Sequence, residues 1–219
     1  MVPTRKSMIS DALLTNEILV MRKIVENVSP HENVIDLYDV YEDSNGVHLV
    51  LELCSGGELF DRIVAQTRHT EAKAAAVVRQ IASGLKALHE VNIIHRDLKP
   101  ENCLFLDESH DSSLKIMDFG LSSVEDFTDP VVGLFGSIDY VSPEALSQGT
   151  ITSKSDMWSL GVILYILLSG YVMESPFCKK KRSKFHYSAA PMQNEVNSNK
   201  FLYIGTRLLS LGPIEKNMN

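Results

Sequence analysis

The chain has 219 residues and a mass of 24.4 kDa, is 44% hydrophobic and 22% charged, and carries a formal net charge of −7. That balance excludes a mainly disordered or collagen-like chain, and the length allows one large or two small domains. Charge is uneven: residues 1–171 hold 13 Lys and Arg against 25 Asp and Glu, whereas 172–219 hold 8 against 3. An acidic body lacks the basic face that phosphate binding needs, so no nucleic-acid partner is expected.

The opening MVPTRKSMIS has no apolar core behind its charges and does not read as a signal peptide. Leu13, Leu14, Ile18, Met21 and Ile24 recur at helical spacing and predict an amphipathic helix over 10–27, with nine residues before it. Two β-rich runs, 34–41 and 47–53, flank Ser44-Asn45-Gly46, a strong hairpin signal because both turn positions need positive φ. Ser55-Gly56-Gly57 breaks the pattern, and a short helix over 58–64 follows. A long helix over 71–90 carries Val77, Val78, Ile81, Leu85 and Leu88 on one side. Short strands are expected at 103–106 and 114–117, then a long acidic loop over 121–141, and loops this long in a compact domain usually carry function. Residues 154–168 are apolar nearly all round and predict a buried helix. Their longest apolar run, 160–168, is too short to cross a bilayer, so no membrane span is expected. Cys54, Cys103 and Cys178 lie far apart with no paired metal spacing. A reduced setting, cytoplasmic or nuclear, follows from that usage. Beyond 171 the chain reads Lys179-Lys180-Lys181-Arg182, a Ser/Asn-rich stretch and a short apolar piece. Such a basic run is a nuclear address, a patch for an anionic surface, or solvated charge, and the last is preferred. No internal repeat is visible.

One motif outweighs the rest. His95-Arg96-Asp97-Leu98-Lys99-Pro100-Glu101-Asn102 fits H-R-D-L-x-x-x-N at every fixed position. Asp118-Phe119-Gly120 follows a pair of short strands, and Ser142-Pro143-Glu144 stands where an A-P-E would. Each acid alone reads as a cap or a solvated turn, but three motifs in this order do not. Residues 10–171 resemble the middle of a Ser/Thr protein kinase domain. Leu49-Val50-Leu51-Glu52-Leu53-Cys54-Ser55-Gly56-Gly57-Glu58-Leu59-Phe60-Asp61 is similar to the calmodulin-dependent and calcium-dependent kinase group. Gly136-Ser137-Ile138-Asp139-Tyr140-Val141-Ser142-Pro143-Glu144 most resembles plant kinases related to phosphoenolpyruvate-carboxylase kinase. No EF-hand pattern D-x-[DN]-x-[DN]-G occurs, so no calcium site of that kind is expected.

The resemblance implies an α+β, bilobal kinase-like fold and transfer of the ATP γ-phosphate to a protein Ser or Thr hydroxyl, with ATP and Mg²⁺ at the site. Asp97 would orient the hydroxyl and accept its proton, Lys99, the Ser/Thr-type feature, would place a positive charge on the moving phosphate, and Asn102 and Asp118 would hold Mg²⁺. His95 and Phe119 would pack with Met21, with Asp156 anchoring that spine. For the nucleotide, Leu51 would be the gatekeeper, the Glu52 carbonyl and Cys54 amide would face the purine edge, and Leu104 would be the floor. Glu58 would meet the ribose or a basic substrate residue, and Glu101 would also meet basic residues. Glu58 equally fits an acid at a helix N-terminus. A protein substrate with basic residues near its target is implied. Arg96 would meet an acid in the activation segment (Glu125, Asp126 or Asp129) or a phosphate on Thr128, the fixed acid being preferred. Ser137 stands where the family often has Thr.

Parts of the pattern are missing. Residues 1–53 contain neither G-x-G-x-x-G-x-V nor a V-A-I-K lysine; Lys6 lies in no such strand, and Glu17, the position that would pair with that lysine, has no partner. The motif match stops at Gly170-Tyr171, and neither Arg182 nor Arg207 stands in the context of the arginine that would pair Glu144. The expected organisation is therefore a partial N-lobe over 1–53, a partial C-lobe over 54–171 and an unrelated, poorly ordered basic tail over 172–219. Ile163, Leu164, Ile166 and Leu167 would form an exposed apolar patch. A kinase domain truncated at both ends and impaired in catalysis is expected, the alternative being an inactive fragment or isoform that binds a partner or has no role.

Overall fold

A computed structural model of the chain describes residues 5–44, 46–65, 69–124 and 138–170, with side chains from residue 13 onward. Asn45, the acids and Thr128 of the activation segment, Ser137, and the basic tail lie outside the described residues. The chain divides into two units, Met1–Ser175 and Pro176–Asn219, and all that follows concerns the first.

Among the described residues, five helices and three two-stranded antiparallel ladders make a mixed α+β architecture. Helix α1 spans Arg5–Asn27. It starts earlier than its apolar period, so the nine-residue lead expected before it is not found. Strands β1 (Leu37–Asp43) and β2 (Gly46–Leu51) form the hairpin, with Gly46 at φ 144° where the turn needs it. Val34 and Ile35 do not join β1 as expected. Val34 bridges Ile116 in parallel, and Ile35 N–H donates to the Ile116 carbonyl at 3.0 Å. The run is apolar because it is buried against a strand from the other side of the site, and a period-2 reading cannot see that.

After short α2 (Leu59–Ala65) comes α3 (Glu71–Glu90), with bounds as predicted. Thr70 caps it by accepting from Lys73 N–H at 3.3 Å. Ala74, Val78, Ile81, Leu85 and Leu88 form its buried stripe, while Val77 lies at the stripe's edge. Strand β3 (Ile93–Ile94) was not predicted; two residues are too few to show a period. Strands β4 (Cys103–Phe105) and β5 (Leu114–Ile116) agree with expectation, and β6 (Ser123–Val124) pairs back to β3 inside the segment read as loop. Helix α4 (Pro143–Gln148) follows that segment and was not predicted; it is opened by Pro143 and closed by Gly149 at φ 68°.

Helix α5 spans Ser153–Ser169 and starts with a reciprocal capping box between Thr152 and Ser155. The exposed patch expected on it is not found. Ile163, Ile166 and Leu167 are buried, and Leu164 packs half-buried against the same cluster, because α5 lies along α3. One hydrophobic cluster joins Val20, Met21 and Ile24 of α1, the α3 stripe, β4, β5 and α5. Among the described residues no helix is long and apolar enough to cross a membrane.

Candidate active site

The H-R-D motif occupies the turn between β3 and β4, and the Asp118 turn lies between β5 and β6. The β3–β6 and β4–β5 ladders therefore brace both segments at both ends. Within them Arg96 sits at φ 71° and Asp118 at φ 67°. Each costs about 1–3 kcal/mol for a residue with a side chain and persists only where its surroundings over-determine it. For Arg96 the constraint is Asp156, 1% exposed on α5. Its Oδ2 accepts from His95 N–H at 2.9 Å and its Oδ1 from Arg96 N–H at 2.9 Å. The ring Nε2 of His89 lies 2.7 Å from Oδ2.

His95 uses both ring nitrogens. Nδ1 accepts from Asp97 N–H at 3.3 Å, so Nε2 carries the hydrogen and donates to the Met117 carbonyl at 3.0 Å. The ring tilts against Phe119 with centroids 5.3 Å apart, and Met21 is buried in the same core. Asp97, 8% exposed, is thereby fixed beside Lys99, whose Nζ lies 2.6 Å from Asp97 Oδ2. Asn102 Nδ2 donates to the Asp97 carbonyl at 2.8 Å and to Oδ2 at 3.3 Å. The three residues predicted as catalytic thus converge on one carboxylate.

The Asp118 turn is tied to α1. Asn16 Nδ2 donates to the carbonyls of Gly120 at 3.2 Å and Ser122 at 2.8 Å, and Ser122 Oγ donates to the His95 carbonyl at 3.0 Å. Glu17, next to Asn16, is held above the ordinary carboxylate range, first by burial and then by the negative charge of Asp118. Among the described residues no ion pair involves Glu17.

In the segment 52–58 that joins β2 to α2, hereafter the hinge, Glu52 N–H donates to the Asp36 carbonyl at 2.9 Å and Ser55 N–H to the Leu106 carbonyl at 2.9 Å. Neither bond uses the Glu52 carbonyl or the Cys54 amide. Burial, then Glu52, pushes the Cys54 thiol up, so it stays protonated. Leu104 alternates out of the core between buried Cys103 and Phe105, and Leu51 is half-buried. Glu58 directly precedes α2, and its carbonyl accepts from Arg62 N–H at 3.3 Å. Glu101 has a buried Oε2 with no hydrogen-bond partner among the described residues, and its charge, after burial, helps to push the Tyr140 hydroxyl up. Gly56 allows a close approach: a Cβ there would stand 2.0 Å from the Asp107 carbonyl oxygen.

Among the described residues no group of three or more His, Cys, Asp or Glu could hold a metal by itself. Mg²⁺ asks for less, taking one or two protein oxygens and the rest from phosphate and water. Asn102 turns its amide nitrogen to Asp97, which leaves its side-chain oxygen out of those bonds, and its main-chain carbonyl accepts from the N–H of Met117, next to Asp118, at 3.0 Å. The side-chain oxygens of Asn102 and Asp118 are a pair of hard donors that fits Mg²⁺ held together with a nucleotide.

Three further residues shape the site and escaped prediction. Asn16 is a polar residue on the apolar side of a helix. Lys115 is a lysine centred in a buried strand, where a charge demands a partner. His89 carries no pattern of its own. The sequence matches the protein kinase domain over residues 3–204. The chain belongs to the protein kinase family. That match extends beyond Tyr171, where the motif resemblance ends. Over 167 residues, 76% of this kinase chain and 32% of the relative, it is 83% identical to a calcium and calcium/calmodulin-dependent serine/threonine-protein kinase of Pisum sativum. Over 169 residues, 77% of the chain and 41% of the relative, it is 85% identical to a calcium/calmodulin-dependent serine/threonine-protein kinase of Malus domestica. A calcium/calmodulin-dependent protein kinase type 1 of Caenorhabditis elegans is 45% identical over 158 residues, 72% of the chain and 44% of the relative. The chain spans about a third of the length of the Pisum relative.

Proposed function

We propose that this site binds Mg²⁺-ATP and is built to transfer the γ-phosphate to a protein Ser or Thr hydroxyl. The observation that carries the reading is the Asp97 carboxylate, buried and held between Lys99 and Asn102 beside the Asp118 turn. In the transfer the bond between the γ-phosphorus and the ADP oxygen breaks, a bond to the hydroxyl oxygen forms, and the hydroxyl proton passes to Asp97. Lys99 offsets charge on the moving phosphoryl group. Mg²⁺, held by Asn102 and Asp118, supplies neutralisation of the phosphate oxygens. Leu51, the Glu52 carbonyl, the Cys54 amide and Leu104 receive the adenine. Glu58 and Glu101 favour a substrate with basic residues, and the unpartnered Oε2 of Glu101 supports that choice. Arg96, with its positive charge disfavoured first by burial, takes an acid or a phosphate from the activation segment.

Transfer by the polypeptide 1–219 on its own is slow in this reading. The support is Glu17, which pairs with no lysine among the described residues and sits beside Asp118 with a raised affinity for its proton. A nucleotide-binding module without transfer activity is the second reading. Calcium and calmodulin, named for the relatives, are proposed as the regulators, acting otherwise than through an EF-hand within 1–219. The finer likeness of 136–144 to kinases related to phosphoenolpyruvate-carboxylase kinase is kept as a proposal about the branch. A cytoplasmic or nuclear location is proposed on cysteine usage alone.

The test is thermal melting with and without Mg²⁺-ATP. At 100 times its dissociation constant a ligand adds about 2.7 kcal/mol to a folded binder. An upward shift that Asp118→Ala abolishes supports the site. A melt that ATP does not move rejects it.

A further inference from the structure

Three segments meet at the side chain of Lys115. Its Nζ lies 2.9 Å from Glu52 Oε2 and donates to the carbonyls of His31 at 3.0 Å and Val34 at 3.4 Å. An ammonium has three donors, and all three are used. The pair is shut from water, with the Lys115 side chain 6% and the Glu52 side chain 14% exposed. The same Glu52 Oε2 accepts from Asp36 N–H at 3.4 Å, while Glu52 N–H donates to the Asp36 carbonyl at 2.9 Å. Glu52 is thus held by its backbone and by its carboxylate. On the β4–β5 ladder the partner of Lys115 is Leu104, and directly opposed residues put their side chains on one face. Three residues further along the chain is Asp118.

We propose that Lys115 and the carboxylate of Glu52 are a positioning pair that sets the hinge backbone against the adenine floor, and through it the affinity for nucleotide. The proposal rests on the nucleotide reading above and adds side-chain roles to positions where only a backbone contact, or nothing, had been assigned. A buried ion pair is a poor source of stability, since a neutral pair of similar size replaces it at little cost. What it supplies is a fixed geometry. Removing both charges should therefore spare the fold and impair the site.

The test uses the full 219-residue chain with two readouts: Mg²⁺-ATP affinity by calorimetric titration, and amide hydrogen exchange across 35–54 without nucleotide. Lys115→Met and Lys115→Met/Glu52→Gln should each weaken Mg²⁺-ATP about tenfold and speed exchange at the Glu52 amide. The double variant should keep the parent's melting midpoint more closely than Lys115→Met, which leaves a buried carboxylate uncompensated. Lys115→Arg, which keeps the charge, should retain affinity. Should Lys115→Met fail to fold, Glu52→Gln and the double variant decide. Parental affinity in the double variant, or unchanged exchange at the Glu52 amide, overturns the proposal. If the parent chain binds no Mg²⁺-ATP, the nucleotide reading falls; faster exchange in the variants then still supports the positioning role, and unchanged exchange overturns it.

Discussion

Asp156 shows how much one side chain can hold. It accepts from two backbone amides of the H-R-D turn and contacts His89, and it is almost wholly buried. Asp156→Ala strands those donors away from water and should lower stability by about 3–5 kcal/mol, read as the urea midpoint. Asp156→Asn, which keeps one acceptor oxygen, should cost less; equal losses would show that the hydrogen bonds are not what matters. Glu17 makes the opposite case. Its folded-state proton affinity is raised, so the folded chain binds more protons than the unfolded chain. Its contribution to stability is then fully present below the ordinary value of 4.5 and is lost as pH rises through the raised value. Glu17→Gln should raise the midpoint at pH 7 in metal-free buffer and leave it nearly unchanged at pH 4, as urea titrations at the two pH values would show.

At the scale of elements, close packing competes with propensity. Gly84 lies inside α3, where Ala would gain about 1 kcal/mol of helix propensity. A Cβ there would stand 2.6 Å from the Asn33 carbonyl oxygen and 2.8 Å from Ile116 Cδ1. The carbonyl belongs to backbone that accepts from Ile116 N–H at 3.0 Å and cannot yield cheaply. Overpacking of about 1–3 kcal/mol should win, and Gly84→Ala should melt lower than the parent. Thr152→Ala, which removes the cap of α5, should cost about 1 kcal/mol by the same measurement. These elements also show what can be read from the chain alone. The long helices were legible because Val78, Ile81, Leu85 and Leu88 recur with the helical period, and the H-R-D turn because its residue types form a fixed pattern. Strands β3 and β6 were not, since a two-residue strand has no period. Val34 and Ile35 misled because burial by a distant strand looks, locally, like a strand. The burial of Ile163 and Leu167 by α3 was missed for the same reason: a long-range contact leaves no mark on neighbouring residues. Of the candidate site, Asp97, Lys99, Asn102 and Asp118 stand in motifs that the sequence displays, whereas the contacts of Asn16, His89 and Lys115 required the fold.

Across the molecule, stability should be graded. The α1, α3 and α5 faces share one core, while β1 and β2 form a two-stranded ladder with exposed Tyr38, Tyr41 and Val50. Such a ladder is marginal alone. Amides of 40–43 and 46–48 should exchange fastest within the described elements, and those of 78–88 only with global unfolding. Trp158, the single tryptophan, is 47% exposed on α5, so its fluorescence should follow the slow class. Uniform exchange rates would contradict this gradient. The left-handed backbones of Arg96 and Asp118 set two kinds of selection against each other. Glycine at either position would relieve about 1–3 kcal/mol of strain, against roughly 0.5–1 kcal/mol of added chain entropy in the unfolded state. A screen for heat resistance alone should therefore enrich glycine at 96 and 118. A lineage freed from the need for chemistry should drift the same way, growing sturdier as it forgets what the turn was for.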